Sequence, residues 1–441
     1  MKTRIFLSVL LSLALLQGCS KSGGGSSTSN GSVRLVNASL ANASLDMTVS
    51  SSALASTSFA SGVATGSAST VVDISPGIYT FSLAASGTGN PLAQQSLMIS
   101  SAMPYALVAH PEGGQLRLTA LSENELAPAA GDGKIRISNL ALQDTGGVDV
   151  YMAASGGTPT SVPAGVSPIV SNLGVASGYF EIPQGSYQIW VTGAGNKADV
   201  RLYLPAVAIS NPNVTTLVLT ATAGGVLVDG WLVTQGDSTV TEAANTSVRI
   251  RVAANIAGSG TVVATVNGVQ LDASTLVSPQ LDSYAVVPSG ALTTSVVVDG
   301  TAVSVPNLSA TAGGDYTLLV AGTSASPTFK LISDDNSLPP GGMAKLRVVN
   351  GINVATPVNV SLTADVNLVA QNVAFGTAST PATLAPGINP SSLQVTPPFT
   401  PALTWSPSSS LPLQSRGVYS VFVLGGTTAP DVPTAIVRAD R

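Results

Sequence analysis

From about residue 33 onward the chain is a succession of short runs in which apolar and polar residues alternate, divided by Gly, Pro, Ser and Asn. In Tyr79-Thr80-Phe81-Ser82-Leu83, the residues Tyr79, Phe81 and Leu83 share one face and Thr80 and Ser82 the other, the period of a half-buried strand. Over the first hundred or so residues the pattern predicts seven strands, near 33–38, 45–50, 69–74, 77–84, 94–99, 104–109 and 115–121. No helical periodicity runs longer than a turn or two. Many short strands separated by Gly and Pro turns predict an all-β chain of sandwich type.

The pattern repeats. Val33-Arg34-Leu35-Val36-Asn37 returns as Ile135-Arg136-Ile137-Ser138-Asn139 and as Leu346-Arg347-Val348-Val349-Asn350, and more loosely as Ile250-Arg251-Val252-Ala253-Ala254. The interval, about 100 residues, suits whole domains in tandem. Inside the copies a Pro-Gly turn opens a strand: Pro76-Gly77-Ile78-Tyr79, Pro183-Gln184-Gly185-Ser186-Tyr187, Pro288-Ser289-Gly290 and Pro386-Gly387. Pro fixes φ and Gly supplies a positive one, which is tight-turn chemistry. A late strand begins with Tyr105, Tyr316 or Tyr419, with Thr215 in the corresponding place of the second copy.

These motifs, together with Val148-Asp149-Val150-Tyr151 and Val373-Ala374-Phe375-Gly376, resemble the bacterial domain of unknown function 4397. The resemblance is good in copies one and two, fair in four and weak in three. It implies tandem immunoglobulin-like β-sandwiches on a surface lipoprotein, and it brings no catalytic residues to carry over. The expected organisation is 1–18 signal peptide, 19–32 Gly/Ser tether, and sandwiches at 33–130, 131–240, 247–337 (divergent) and 343–441. The joints, Ala127 to Gly133, Gly236 to Thr246 and Asn336 to Gly342, read as loops, so an extended row of independently folding modules is expected.

Composition narrows the function. Charged residues are 9% of the chain, against roughly 25% in ordinary soluble domains, and the net charge is −5. There is no basic stripe to neutralise phosphates, so nucleic acid is not a partner. With one cysteine in 441 residues there is no internal disulfide, and burial alone must stabilise each unit.

That cysteine, Cys19, closes Leu16-Gln17-Gly18-Cys19. Lys2 and Arg4 precede an uncharged run of about 12 residues, Ile5 to Leu16, the layout of a secretory signal and shorter than the roughly 20 residues of a membrane-spanning helix. The tetrapeptide resembles a bacterial lipobox. The resemblance implies cleavage before Cys19, lipidation of Cys19 and anchoring to a membrane. Ser20 in the next place is the pattern of outer-membrane sorting. An ordinary signal peptide with an incidental cysteine is the competing reading.

Little else carries chemistry. His110 is the only histidine, which removes most Ser-His and Cys-His catalysis and most zinc sites. As the end of a strand before Pro111, it is expected at the surface or in a turn. The carboxylates Glu123, Glu125, Glu181, Asp334 and Asp335 lie in or beside loops, without the paired cleft that glycoside hydrolysis requires. Acids gather at the joints, as Glu123-Asn124-Glu125, Asp237 and Asp334-Asp335-Asn336; solvated linkers explain them, with calcium as the alternative. Arg34, Arg136 and Arg347 are expected to pack along their strands and bond a loop carbonyl or carboxylate. Trp190, Trp231 and Trp405 are expected as core fillers.

The expectation is therefore a non-enzymatic, lipid-anchored protein of the cell envelope with a structural or adhesion-like role and no cofactor or metal. Its partners would be the membrane and an envelope, glycan or protein surface. Capture of a glycan or peptide is the second reading, and an enzyme the third.

Overall fold

In a computed structural model the described residues are 29–156, 161–272, 274–352, 357–362, 367–388, 393–396, 403–405, 412–426 and 433–441. The first unit has nine strands: β1 (Gly31–Asn37), β2 (Ser44–Ser50), β3 (Thr57–Ala64), β4 (Ser67–Ala68), β5 (Val72–Ile74), β6 (Gly77–Ala85), β7 (Pro91–Ile99), β8 (Pro104–Glu112) and β9 (Gln115–Ser122). One sheet runs β4-β1-β8-β9, with β5 also on β1, and the other runs β3-β2-β6-β7. Val33 and Leu35 of the first sheet meet Leu45, Met47, Phe81 and Leu83 of the second in a shared core. The chain is all-β, with two main sheets packed in the same way in residues 132–243, 247–334 and 344–439; the unit at 247–334 adds a small two-stranded sheet, Gly290–Leu292 with Leu308–Ala310.

Register aligns the units residue by residue. The first strand of each lies parallel to a late strand, pairing Val33 with Tyr105, Ile135 with Thr215, Ile250 with Tyr316 and Leu346 with Tyr419. Thr215 therefore occupies the tyrosine position of the second unit. Two of these tyrosines fold back over the glycine two residues earlier, Gly314 below Tyr316 and Gly417 below Tyr419, which leaves no room for a Cβ. Their hydroxyls accept from the backbone N–H of Thr311 (3.0 Å) and Gln414 (2.8 Å). This is the geometry of a tyrosine corner. The recurrent asparagine ends the first strand by donating to the carbonyl that closes its neighbour across the sandwich: Asn37 to Val63 and Asn350 to Val373.

Three sequence expectations need correction. β3 was absent from the predicted strands; its Ser-, Ala- and Gly-rich sequence has weak strand propensity and it lies at a sheet edge. The last two residues of the expected tether, Gly31 and Ser32, belong to β1, because Ser32 pairs with Pro104 and Gly31 with Ile74. The joint 236–246 contains the strand Val240–Ala243, which pairs with Val228–Thr234 and completes a sheet.

The largest difference concerns shape. The units do not stand apart as a loose row. The outer face of the β1 sheet packs on the equivalent sheet of the second unit, joining Val36, Ala106, Val108 and Leu121 to Val218, Trp231 and Val233. The third and fourth units meet in the same way through Ala253, Leu319, Ala321, Val349 and Phe422. Those sheets are apolar on both faces, which is why strands such as Ala344–Asn350 and Val418–Leu424 are buried at every position. The two pairs also touch. The Thr222 hydroxyl of the second unit donates to the carbonyl of Gly313 in the third, while within the first pair Gly113 donates its backbone N–H to the carboxylate of Asp144, in the short helix α1 (Leu142–Thr145). Arg441 is half-buried at this junction, its guanidinium donating to the carbonyls of Asp144, Thr145 and Gly225.

Candidate functional site

The four recurrent arginines are structural. Three donate through Nε to a hydroxyl on the neighbouring parallel strand: Arg136 to Thr216 (2.8 Å), Arg251 to Thr317 (3.0 Å) and Arg347 to Ser420 (3.0 Å). In the first unit Ala106 takes the hydroxyl's place, and Arg34 turns to Glu123 instead, at 2.9 Å. As expected, the arginines bond carbonyls and carboxylates, but these partners lie largely across the unit interfaces. Arg251 pairs with Asp440 and Asp334, and Arg347 with Asp334 at 2.7 Å. The rings of Tyr284 and Phe422 cover the Arg251 guanidinium at 4.3 and 5.0 Å. Tyr284 donates to Asp334 at 2.6 Å; burial, then the Asp334 charge, push its phenol well above the ordinary value.

This accounts for the acids at the joints. Glu123 is held by Arg34, Glu125 by Lys134 at 2.6 Å, and Asp335 by Lys345 at 2.9 Å. Asp237 accepts from the backbone N–H of Thr239, and Glu181 from that of Ala129. For Glu123, Glu125 and Asp335 the partner is thus a cation of the chain itself. Among the described residues no cluster of three or more His, Cys, Asp or Glu is arranged to hold a metal.

His110 is not at the surface. It is 2% exposed on β8, its Nδ1 donating to the Pro111 carbonyl (3.2 Å) and its Nε2 accepting from the Thr119 hydroxyl (2.9 Å). Burial lowers its pKa to about 4. Trp190 is buried, but on the face of its sheet opposite Ile189 and Val191 and so outside the sandwich core, where it stacks on Tyr203 with centroids 5.6 Å apart. Trp231 is also buried, but between units, its indole N–H donating to Thr220. Trp405 lies on the strand Leu403–Trp405. Cys19 lies outside the described residues.

Sequence reasoning gave no hint of the main concave feature, a cleft of about 690 Å³ where the first three units and the joint after the third meet. The loop after β1 (Ser39, Leu40, Asn42) and the β8–β9 hairpin (Glu112, Gln115, Leu116) form one wall; Thr220, Thr222, Asp229 and Asp144 form the other. Burial raises the pKa of Asp144, against the N–H of Gly113, and pushes Asp229 up to about 6. Burial also raises Glu112. For Asp335 burial acts upward too, but Lys345 and the Ser337 hydroxyl outweigh it and hold the carboxyl below its usual range. The cleft thus offers hydroxyls, amides and carboxylates, three of them raised in pKa by burial, beside Leu40 and Leu116. Its only sequence signal is Leu-Gln-Asp-Thr before Gly146-Gly147, a single helical turn among strands.

The sequence profile of the domain of unknown function DUF4397 matches residues 31–151 and 249–361, more than half of the chain. The chain belongs to this family. Each DUF4397 match begins at the first strand of an odd-numbered unit and runs into the early strands of the next, so the two matches fall on the two face-to-face pairs. No curated protein matches the chain in sequence. Among solved structures, the Bacillus anthracis TIE protein is similar at 10% identity over 67% of this chain and 50% of its own, with a TM-score of 0.15. The chain thus corresponds to about half the length of that protein. A family 26 carbohydrate-binding module of Eubacterium rectale Amy13K, solved with maltoheptaose, is similar at 16% identity over 48% of this chain and 97% of its own, TM-score 0.15. Family 41 carbohydrate-binding modules from streptococcal virulence factors give 12%, 42% and 92%, with a TM-score of 0.16. At these TM-scores the likeness has no bearing on function.

Proposed function

We propose that this DUF4397 protein is a non-enzymatic interaction protein of the cell envelope, held by lipid on Cys19 at the outer membrane. One observation carries the reading. The one histidine and the acids at the unit joints are engaged in internal bonds: His110 with Thr119, Asp334 with Arg251 and Arg347, and Glu123 with Arg34. What is left open is the cleft, whose volume lies within the range of about 300–1,000 Å³ usual for ligand sites. Hydroxyls and amides beside Leu40 and Leu116 favour a glycan or a peptide as the occupant.

Two measurements test this. Labelling cells with a fatty acid should mark the wild type and not Cys19→Ala, which should leave the membrane fraction; equal membrane association without label in the wild type sinks the anchor. Glycan and peptide arrays probed with the full chain should give ligands that Gln115→Ala and Asn42→Ala bind more weakly. Turnover of a bound ligand sinks the non-enzymatic reading.

A further inference from the structure

The three most exposed large apolar side chains among the described residues are Leu126 (78%), Ile78 (68%) and Met98 (64%), and they cluster at one end of the first unit. Ile78 and Met98 are cross-strand partners on the outer face of their sheet, one step beyond the pair Gly77–Ile99. Ile99 packs against Gly31, the first residue of β1. Leu126 belongs to the segment leaving β9, whose next residue, Glu123, donates its N–H to the carbonyl of Pro104, the partner of Ser32. The rest of the outer face beside Ile78 and Met98 is polar, with Thr80 bonded to Ser96.

The chain enters the fold at this same end. Ser29 accepts from the Ala102 N–H and the Ser101 hydroxyl, in the loop that follows Met98 and Ile99. Only nine residues separate Cys19 from Ser29, a reach of at most about 35 Å when fully extended. Their one charge is Lys21, positive and so suited to anionic headgroups. The two carboxylates just before Leu126 are neutralised, Glu123 by Arg34 and Glu125 by Lys134.

We propose that Ile78, Met98 and Leu126 form a contact surface for the bilayer that carries the anchor, so that the first unit rests on the membrane with its β1 entrance downward. The proposal builds on lipidation of Cys19. Alone, three side chains bind a membrane weakly; tethered beside it, they insert at little further cost and fix the orientation of the body. The cleft loop at Leu40 follows the opposite end of β1 and would face away from the lipid.

The test uses the full, lipidated chain. Because acylation occupies the Cys19 sulfur, Met98→Cys or Ile78→Cys introduces a single free thiol for an environment-sensitive fluorophore, and Leu40→Cys is the control. All three positions are exposed, so the fold should be kept. The proteins are reconstituted in phosphatidylethanolamine–phosphatidylglycerol vesicles with or without a nitroxide phospholipid. At 98 and 78 the emission should fall about twofold or more with the nitroxide lipid, and at 40 it should not change. If the chain floats with the vesicles but neither 98 nor 78 is quenched, the contact surface is wrong and the anchor stands. Equal quenching at 40 also overturns the orientation. A label at 98 that is shielded without vesicles, in a manner dependent on protein concentration, assigns the patch to a second copy instead. A wild-type chain isolated from cells that proves to carry no acyl group and does not float overturns the lipid anchor and, with it, this proposal.

Discussion

Arg34 and Arg136 reach across to each other's unit at equivalent positions. Arg34 Nη2 donates to the carbonyl of Thr234 and Arg136 Nη2 to that of Ser122, both at 2.8 Å. Thr234 pairs with Thr215, and Ser122 with Tyr105, the register-matched residues of the two units. The first two units are thus related by an approximate twofold operation, and the contact is isologous, like that of a symmetric dimer.

The pair, not the single sandwich, should then be the folding unit. Trp231→Ala, which empties the space between the sheets, should cost about 3–5 kcal/mol. Residues 29–130 made alone expose Val36, Ala106, Val108 and Leu121 and should aggregate or melt low, whereas 29–243 should unfold in one transition. Thermal and urea melts of the two fragments decide it; a stable, soluble 29–130 would show that the interface contributes little.

The arginine network between the third and fourth units should be costly to break from one side. Arg251→Ala leaves Asp440 buried without its cation, and about 3–5 kcal/mol should be lost. Removing both partners, as Arg251→Ala with Asp440→Ala, should recover part of that loss. Denaturant melts of the two singles and the double give the coupling directly.

Asp229 sets a pH dependence with a definite sign. Its pKa is about 6 in the folded protein and near 3.9 when unfolded, so between these values the native state binds the more protons. Its contribution to stability is therefore full at low pH and declines as pH rises from about 4 to 6. Asp229→Asn should remove this decline and raise stability at pH 7 by up to about 3 kcal/mol. Melts at intervals between pH 4 and 8 would show a flatter profile for the variant.

His110 acts in the opposite sense. With a folded pKa of about 4 against 6.5 for a free imidazole, the unfolded state binds the extra proton, and stability is lost as pH falls through that window. As the only histidine it gives an unambiguous NMR titration, which should have its midpoint near pH 4. His110→Ala should cost about 1–3 kcal/mol, because it removes packing and leaves the Thr119 hydroxyl without its acceptor.

The strands of the first unit were legible because their alternation is local: Tyr79, Phe81 and Leu83 declare a buried face without reference to anything distant. The repeat motifs were legible too, and the structure explains the recurring Asn and Tyr through nearby backbone partners. β3 was not, since Ser, Ala and Gly carry almost no strand signal and Phe59 and Val63 alone do not make a period. The pairing of units lay in view but was not recognised: Leu35-Val36 and Leu107-Val108 place apolar residues on both faces of a strand, which only a sheet covered on both sides tolerates. The cleft was out of reach. Its walls come from the loop at 39–42, the hairpin at 112–116 and the turn at 220–229, and no local pattern links segments that far apart.

The parallel pairing of β1 with β8 has a mechanical meaning if the chain is pulled by its anchor. Tension entering at Gly31 runs along β1, whose residues Ser32 to Asn37 are laddered to Pro104 to Ala109 on one side and to β4 and β5 on the other. Such a load shears the ladder, so its hydrogen bonds share the force and must yield together; a load applied across the strands would open them one at a time. If the proposed anchor holds the protein, its entrance strand is placed to bear such a pull without the first sandwich coming undone.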